Sequence, residues 1–212
     1  MRRFFLFYIP VALLAFILVP SGYVRAQFEP PYPYQVFIPL IASSGEDSPA
    51  DALSSFTATV TNGEAQTLRG LFSPNGIGVK IVQQPAGMYS YVSTANSTAT
   101  QFALAQQGVT GLLAHNYLAG ELFFYLQAGD ALYLVYGDGR IEKFTVTAIH
   151  RYQALDPASP SSDFIDQSNG DRLTAAQVFA RHYMDGPRVT LQTCIAQDGN
   201  LSWGRLFITA LP

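Results

Sequence analysis

The run Asp130-Ala131-Leu132-Tyr133-Leu134-Val135-Tyr136-Gly137-Asp138-Gly139-Arg140-Ile141-Glu142-Lys143-Phe144-Thr145-Val146-Thr147-Ala148-Ile149 reads as two strands around a tight turn. Gly137 and Gly139 tolerate positive φ, so Gly137-Asp138-Gly139 suits a hairpin reversal between Asp130–Tyr136 and Arg140–Ile149. In the second strand Phe144, Val146 and Ala148 alternate with Thr145 and Thr147, which gives one buried and one wetter face. Working outward, Phe56-Thr57-Ala58-Thr59-Val60, Ile77–Val82 and Gly111–Ala114 carry further strand patterns, and Thr98–Gln107 reads as a short helix. On the other side, Asp156–Asn169 is a long polar loop. Leu173–Tyr183 is helical, with Thr174 and Gln177 at capping-box spacing. Two strands close the chain, Arg188–Ile195 and Gly204–Leu211. No internal repeat is present, so the expected fold is all-β: a β-barrel with a few short helices laid on it.

Composition agrees. Of 212 residues 49% are hydrophobic and only 13% charged, which suits a buried core and excludes lasting disorder or a coiled coil. Arg2, Arg3 and Arg25 lie in an N-terminal segment without acids, and from Gln27 onward 9 basic residues face 15 acidic ones. That acidic balance, with Lys80 and Lys143 the only lysines, excludes a nucleic-acid partner. Residues 1–26 read as a signal peptide or an N-terminal membrane anchor. Arg2-Arg3 form the positive end, Phe4–Pro20 is the apolar stretch, and Val24-Arg25-Ala26 precedes a cleavage point at Gln27. The stretch is short for a spanning helix, yet within its lower limit. Either way the protein is expected outside the cytoplasm, secreted or held at the cell membrane. Residues 27–56 read as a tether, first extended by Pro30-Pro31-Tyr32-Pro33-Tyr34 and then flexible through the Ser- and Ala-rich Ala42–Ser55. The folded domain is expected over 57–212.

Several kinds of chemistry are absent. The chain has no G-x-S-x-G, S-x-x-K, H-E-x-x-H or C-x-x-C, and Gly76-x-Gly78 lacks the rest of a dinucleotide fingerprint. Asp163, Asp166 and Asp171 share one loop and carry oxygen ligands of the kind calcium prefers. Their spacing matches no calcium loop, and they read as solvated acids. No cofactor is therefore expected, with calcium the one alternative and no site for it mapped onto the chain. His150 and His182 read as structural histidines, and Trp203 as a packed loop anchor.

What remains is Cys194. In an exported protein a single cysteine cannot form an internal disulfide. If the last two strands form an antiparallel hairpin, Cys194 and Arg205 come opposite each other. Alternation then puts Thr190, Gln192 and Cys194 on one face, and Arg205, Phe207 and Thr209 on one face of the partner. A guanidinium beside a thiol is suited to hold a carbonyl oxygen that becomes an oxyanion.

Here the sequence resembles the sortases, the cysteine transpeptidases of the bacterial cell surface. Their T-L-x-T-C signature stands unbroken at Thr190-Leu191-Gln192-Thr193-Cys194. Their arginine on the next strand is matched by Arg205 in Trp203-Gly204-Arg205, and their histidine by His115 in Leu113-Ala114-His115-Asn116. Ala114 stands where the family usually has glycine. Leu122–Leu126 followed by Gly129-Asp130 looks like the family's segment before its G-D strand. The resemblance covers about Ile77 to Leu211 and implies a sortase-like barrel with Cys194 as nucleophile. His115 would be the general acid and base, and Arg205 would hold the carbonyl. Thr193 would line the substrate groove, and Asn116 would orient His115 or cap the strand end. The implied partners are exported surface proteins bearing a C-terminal sorting motif and an amine acceptor of cell-wall or pilin type. Three functions fit these residues: transpeptidation, hydrolysis on the same scaffold as a cysteine protease, and a non-catalytic surface-binding barrel. A papain-like enzyme would place cysteine before histidine, so the chain order disfavours it.

Overall fold

The computed structural model describes residues 48–106 and 108–212. The expected signal or anchor (1–26) and the tether through residue 47 lie outside the described residues. Among the described residues the elements run α1 (Pro49–Val60), β1 (Leu68–Ser73), β2 (Ile77–Gln83), β3 (Thr98–Gln101), β4 (Val109–Leu113), a 3-10 helix (Ala119–Tyr125), β5 (Ala131–Tyr136), β6 (Ile141–Ala154), β7 (Phe164–Asp166), β8 (Arg172–Leu173), α2 (Ala175–Tyr183), β9 (Arg188–Gln197) and β10 (Asn200–Leu211). The strands are ordered β10-β9-β4-β3-β2-β1-β5-β6, and a β10–β6 pairing closes them into a barrel. The short β7 and β8 continue the sheet from the far end of β6. The pairs β2–β3 and β4–β9 are parallel, and the other pairs are antiparallel.

The β5–β6 hairpin forms as expected, with Tyr136 N donating to Arg140 O (2.9 Å) and Gly139 at positive φ. Strand β6 is long enough to pair with β5 through Ile141–Thr145 and with β10 through Thr145–Gln153. It therefore turns the corner that closes the barrel. Leu71, Val79, Leu112, Leu132, Leu134, Leu191 and Ala210 fill the interior with no exposed surface. Alternate residues face outward, and between β4, β9, β10 and β6 that outer face carries a second cluster. Val109, Leu113, Tyr152 and Phe207 of the strands pack there with Val178 and Tyr183 of α2 and with Phe102. The α2 capping box is present, with Thr174 Oγ1 accepting from Gln177 N and Gln177 Oε1 accepting from Thr174 N.

Three local expectations are corrected. Phe56–Val60 is not a strand but the last turns of α1, so residues 49–56 of the expected tether are helical. Ser48 caps the helix in a reciprocal box with Asp51, Pro49 opens it, and Phe56 lies over Gly70 of β1. A Cβ on Gly70 would fall 2.7 Å from Phe56 Cε1, so β1 has a glycine where the helix rests on it. Thr98–Gln107 does not start a helix: Thr98–Gln101 is β3, with Ala99 in the interior and Thr100 Oγ1 accepting from Ser93 N (2.8 Å). The polar stretch Asp156–Asn169 contains β7. Among the described residues no helix is long and apolar enough to cross a membrane.

Candidate active site

Strands β9 and β10 pair with Cys194 directly opposite Arg205. On the other side of β9, the parallel ladder sets Leu113 against Gln192, and Ala114 N donates to Gln192 O (3.1 Å) one residue beyond the end of β4. Continued by one more residue, this register carries His115 to the level of Cys194. Cys194 and Arg205 are thus register partners, and His115 stands in the segment after β4, two residues beyond its last paired residue. All three are half-buried. Cys194 is a free thiol.

The surroundings hold each member differently. Arg205 Nη1 donates to Ser202 O and Gly204 O, both at 2.9 Å, which holds the guanidinium against the irregular first part of its own strand β10. Its Nε and Nη2 keep no partner among the described residues and can donate to a ligand. The His115 ring stacks on exposed Tyr117, centroids 5.2 Å apart, and its carbonyl accepts from Leu118 N and Gly120 N, both at 3.0 Å. Asn116 Nδ2 donates to Leu201 O (3.0 Å), so this side chain ties the loop after β4 to the start of β10. This bond runs to β10 and not to the His115 ring.

Thr193 takes a different place from the one expected of a groove residue. It alternates to the face opposite Cys194, is 2% exposed, and presses its hydroxyl towards Gly120 of the 3-10 helix. That hydroxyl is buried without a hydrogen-bond partner. Trp203 packs against the interior core as expected, but from strand β10 rather than from a loop.

The Cys194–Arg205 pair has a closed side and an open side. Towards the start of β9, Tyr183 Oη donates to Gln192 Oε1 (2.6 Å), and Tyr183 meets Phe102 edge-on at 4.9 Å between ring centroids. Gly111 of β4 makes room for both, since a Cβ there would meet Tyr183 Cε1 at 2.9 Å and Phe102 Cβ at 3.1 Å. Burial pushes the Tyr183 hydroxyl far above the usual phenol range, so it stays a neutral donor. Towards the other end, the exposed side chains of Tyr117 and Leu201 border open solvent. Sequence reasoning singled out neither Tyr183, Phe102 nor Gly120. The glycines Gly111 and Gly120 were the available signal, each standing inside an otherwise apolar run.

Beyond Arg205 the register continues into a buried polar network. Arg205 is register partner of Tyr152, and Tyr152 of Asp166. Tyr152 Oη lies 2.9 Å from His182 Nε2 and accepts from Arg181 Nη1 (3.1 Å), which also donates to Asp166 Oδ2 (2.9 Å). Tyr152 Oη and His182 Nε2 share one hydrogen bond, while His182 Nδ1 is buried with no partner among the described residues. Burial, reinforced by His150, Arg181 and Arg188, pushes the His182 imidazole from 6.5 down to about 3. His182 therefore belongs to the wall of the site, stacked on Phe207 at 4.1 Å.

The loop acids are engaged separately. Asp163 accepts from Arg172 Nε and Nη2, Asp166 from Arg181 and Ser168, and Asp171 from Asn169 Nδ2. Among the described residues no group of three His, Cys, Asp or Glu is arranged to hold a metal ion.

Comparison with solved structures returns sortases repeatedly. Sortase A of Listeria monocytogenes matches at 16% identity and a TM-score of 0.42, over 68% of this chain and 86% of that one. The SrtA sortase from Actinomyces oris matches at 16% identity and 0.44, over 71% and 82%. Sortase E1 from Streptomyces coelicolor, solved with a tripeptide in the active site, matches at 17% and 0.43, over 69% and 87%. In fold, the chain is similar to sortases. No family model and no curated protein sequence matches it.

Proposed function

We propose that this protein is a cysteine transpeptidase of sortase type, acting outside the cytoplasm on exported proteins. The observation that carries the reading is the pairing of Cys194 with Arg205; the β4–β9 ladder, which ends two residues before His115, supports a place for His115 beside them. The unbroken Thr190-Leu191-Gln192-Thr193-Cys194 signature supports it. Cys194 reacts as the thiolate. Its sulfur attacks the carbonyl carbon of a sorting motif, and the oxygen takes negative charge facing the free Nε and Nη2 of Arg205. Collapse breaks the C–N bond, His115 gives a proton to the departing amine, and an acyl thioester remains on Cys194. An acceptor amine then attacks the thioester. His115 takes the amine proton, the C–S bond breaks, and a new amide forms. The reading includes no metal, since Asp163 and Asp166 are paired with Arg172 and Arg181. The N-terminal segment supplies export or anchoring, and the Pro- and Tyr-rich stretch holds the domain away from the membrane.

The test uses the full purified chain, a panel of sorting-motif peptides and intact-mass spectrometry. A peptide-sized adduct is expected on the wild type, absent from Cys194→Ala, and discharged as a ligated product by an added amine. Arg205→Lys keeps the charge but loses the planar fork, and a drop in adduct formation of about 10²–10³-fold is expected. Discharge by water alone, with no ligated product at high amine, would convert the reading to a protease. No adduct on the wild type across the panel, together with a Cys194 inert to iodoacetamide, would remove the enzyme reading altogether.

A further inference from the structure

Gly120 sits where no other residue fits. It is the second residue of the 3-10 helix Ala119–Tyr125, which is driven into the barrel by Phe123 and Leu122 of the interior core. A Cβ on Gly120 would fall well inside contact distance of Thr193 Oγ1, 2.7 Å from His115 O and 2.9 Å from Ala114 O. Two of these three neighbours are backbone atoms of the segment that carries His115, and the third belongs to the residue before Cys194. Gly120 N also donates to His115 O (3.0 Å), while Ala114 N donates to Gln192 O on β9 (3.1 Å). The main chain around His115 is therefore gripped from both sides, by β9 and by Gly120.

The grip has no slack. Ala114 and Ala119 are 5% and 2% exposed and both lie in the interior cluster, so the 3-10 helix cannot retreat without opening the core. Thr193 is 2% exposed, and its hydroxyl points into this contact with no hydrogen-bond partner of its own. Buried hydroxyls without partners are uncommon because their desolvation goes uncompensated. This one is tolerated where the helix and β9 come closest.

We infer that Gly120 is a positioning residue, which sets the spacing between His115 and Cys194 by letting the 3-10 helix backbone touch Thr193 and the His115 carbonyl at once. This rests on the transpeptidase reading. A methyl group at position 120 displaces either the His115 segment or Thr193, and with it the strand residue next to the nucleophile. Misplacement of reacting groups by about 1 Å costs on the order of 10²-fold in rate while leaving substrate binding nearly intact. The effect belongs in kcat, not in KM.

The experiment measures kcat and KM for acyl transfer in the full chain, and the pH dependence of Cys194 alkylation by iodoacetamide. Gly120→Ala is expected to melt cooperatively yet lose about 10–100-fold in kcat, with KM within about threefold of wild type. Its alkylation profile is expected to move along the pH axis, because the imidazole no longer sits at its wild-type distance from the sulfur. A merely structural role would lower the melting temperature and leave both readouts unchanged per folded molecule. Removing the nearest obstacle is expected to restore part of the rate: Gly120→Ala/Thr193→Ala, measured against Thr193→Ala, should show a smaller kcat loss than Gly120→Ala against wild type. If Gly120→Ala alone does not fold, the double variant's kcat and alkylation profile against Thr193→Ala decide the matter. A folded variant with wild-type kcat and alkylation profile overturns the inference while the transpeptidase reading stands. A wild-type chain that forms no thioester overturns both.

Discussion

The two apolar clusters of the barrel are built by different rules. Inside, the strands contribute Leu71, Val79, Leu112, Leu132, Leu134 and Leu191, with no titratable side chain among the clustered residues. Outside, between β6 and β4, the cluster is aromatic and includes buried polar groups: Tyr152, Tyr183 and the adjoining His182, each hydrogen-bonded. The interior follows from alternation along each strand, whereas the outer cluster needs α2 and the β3–β4 connection to arrive from elsewhere in the chain. The Cys194–Arg205 pair lies on the outer side of this wall. Alternation along β9 puts Thr193 and Ile195 inside and Cys194 outside, so Cys194 is backed by the aliphatic core and flanked by the aromatic one.

That contrast can be broken experimentally, first from the inside. Leu191→Ala removes a side chain with no exposed surface, and a loss of about 2–5 kcal/mol in chemical denaturation is expected. A loss under 1 kcal/mol would mean that the interior does not carry the stability assigned to it.

Acid should sharpen the difference from the outside. His182 is held near 3 in the fold against 6.5 unfolded, so below 6.5 the unfolded chain binds a proton that the native state refuses. Stability attached to His182 is therefore full above 6.5 and falls as pH drops towards 3, by about 2 kcal/mol at pH 5. Burial also lowers His150, which adds to this slope below 6.5, whereas Asp166, lowered by Ser168 and Arg181 against the opposing effect of its own burial, adds only as pH falls below 3.8. His182→Gln, neutral at every pH, should flatten the dependence between pH 7 and 5. An unchanged slope would place the acid sensitivity elsewhere. The smallest effect belongs to the surface: Arg172→Ala breaks a pair whose arginine side chain is 67% exposed, and a change below about 1 kcal/mol is expected.

Much of this was legible in the chain. The β5–β6 turn, the capping box of α2 and the Cys194–Arg205 pairing all rest on local pattern, and local pattern decided them. α1 was misread because Phe56, Thr57, Thr59 and Val60 favour strands, while what makes them helical lies elsewhere: Gly70 and Gly78 receive Phe56 on the barrel surface. β3 was misread for the converse reason, since Ala99 and Thr100 are fixed by neighbouring strands and by Ser93 rather than by their own periodicity. At the candidate site the Cys194–Arg205 pairing could be anticipated. Its walls could not: alternation turns Thr193 away from Cys194, but the contact of Thr193 with Gly120, like that of Tyr183 with Phe102, joins distant segments that no periodicity encodes.

The parallel pairing of β4 with β9 has a temporal consequence. Arg205 reaches Cys194 through a hairpin of neighbouring strands, a contact of short loop that forms early and cheaply. His115 reaches it only after β5 through α2 have been laid down between the two strands, and non-local parallel contacts of this kind form slowly. A chain still folding therefore carries a thiol with a guanidinium beside it and no imidazole. On the transpeptidase reading, acyl transfer would switch on at barrel closure, and its onset during refolding would time that closure from within.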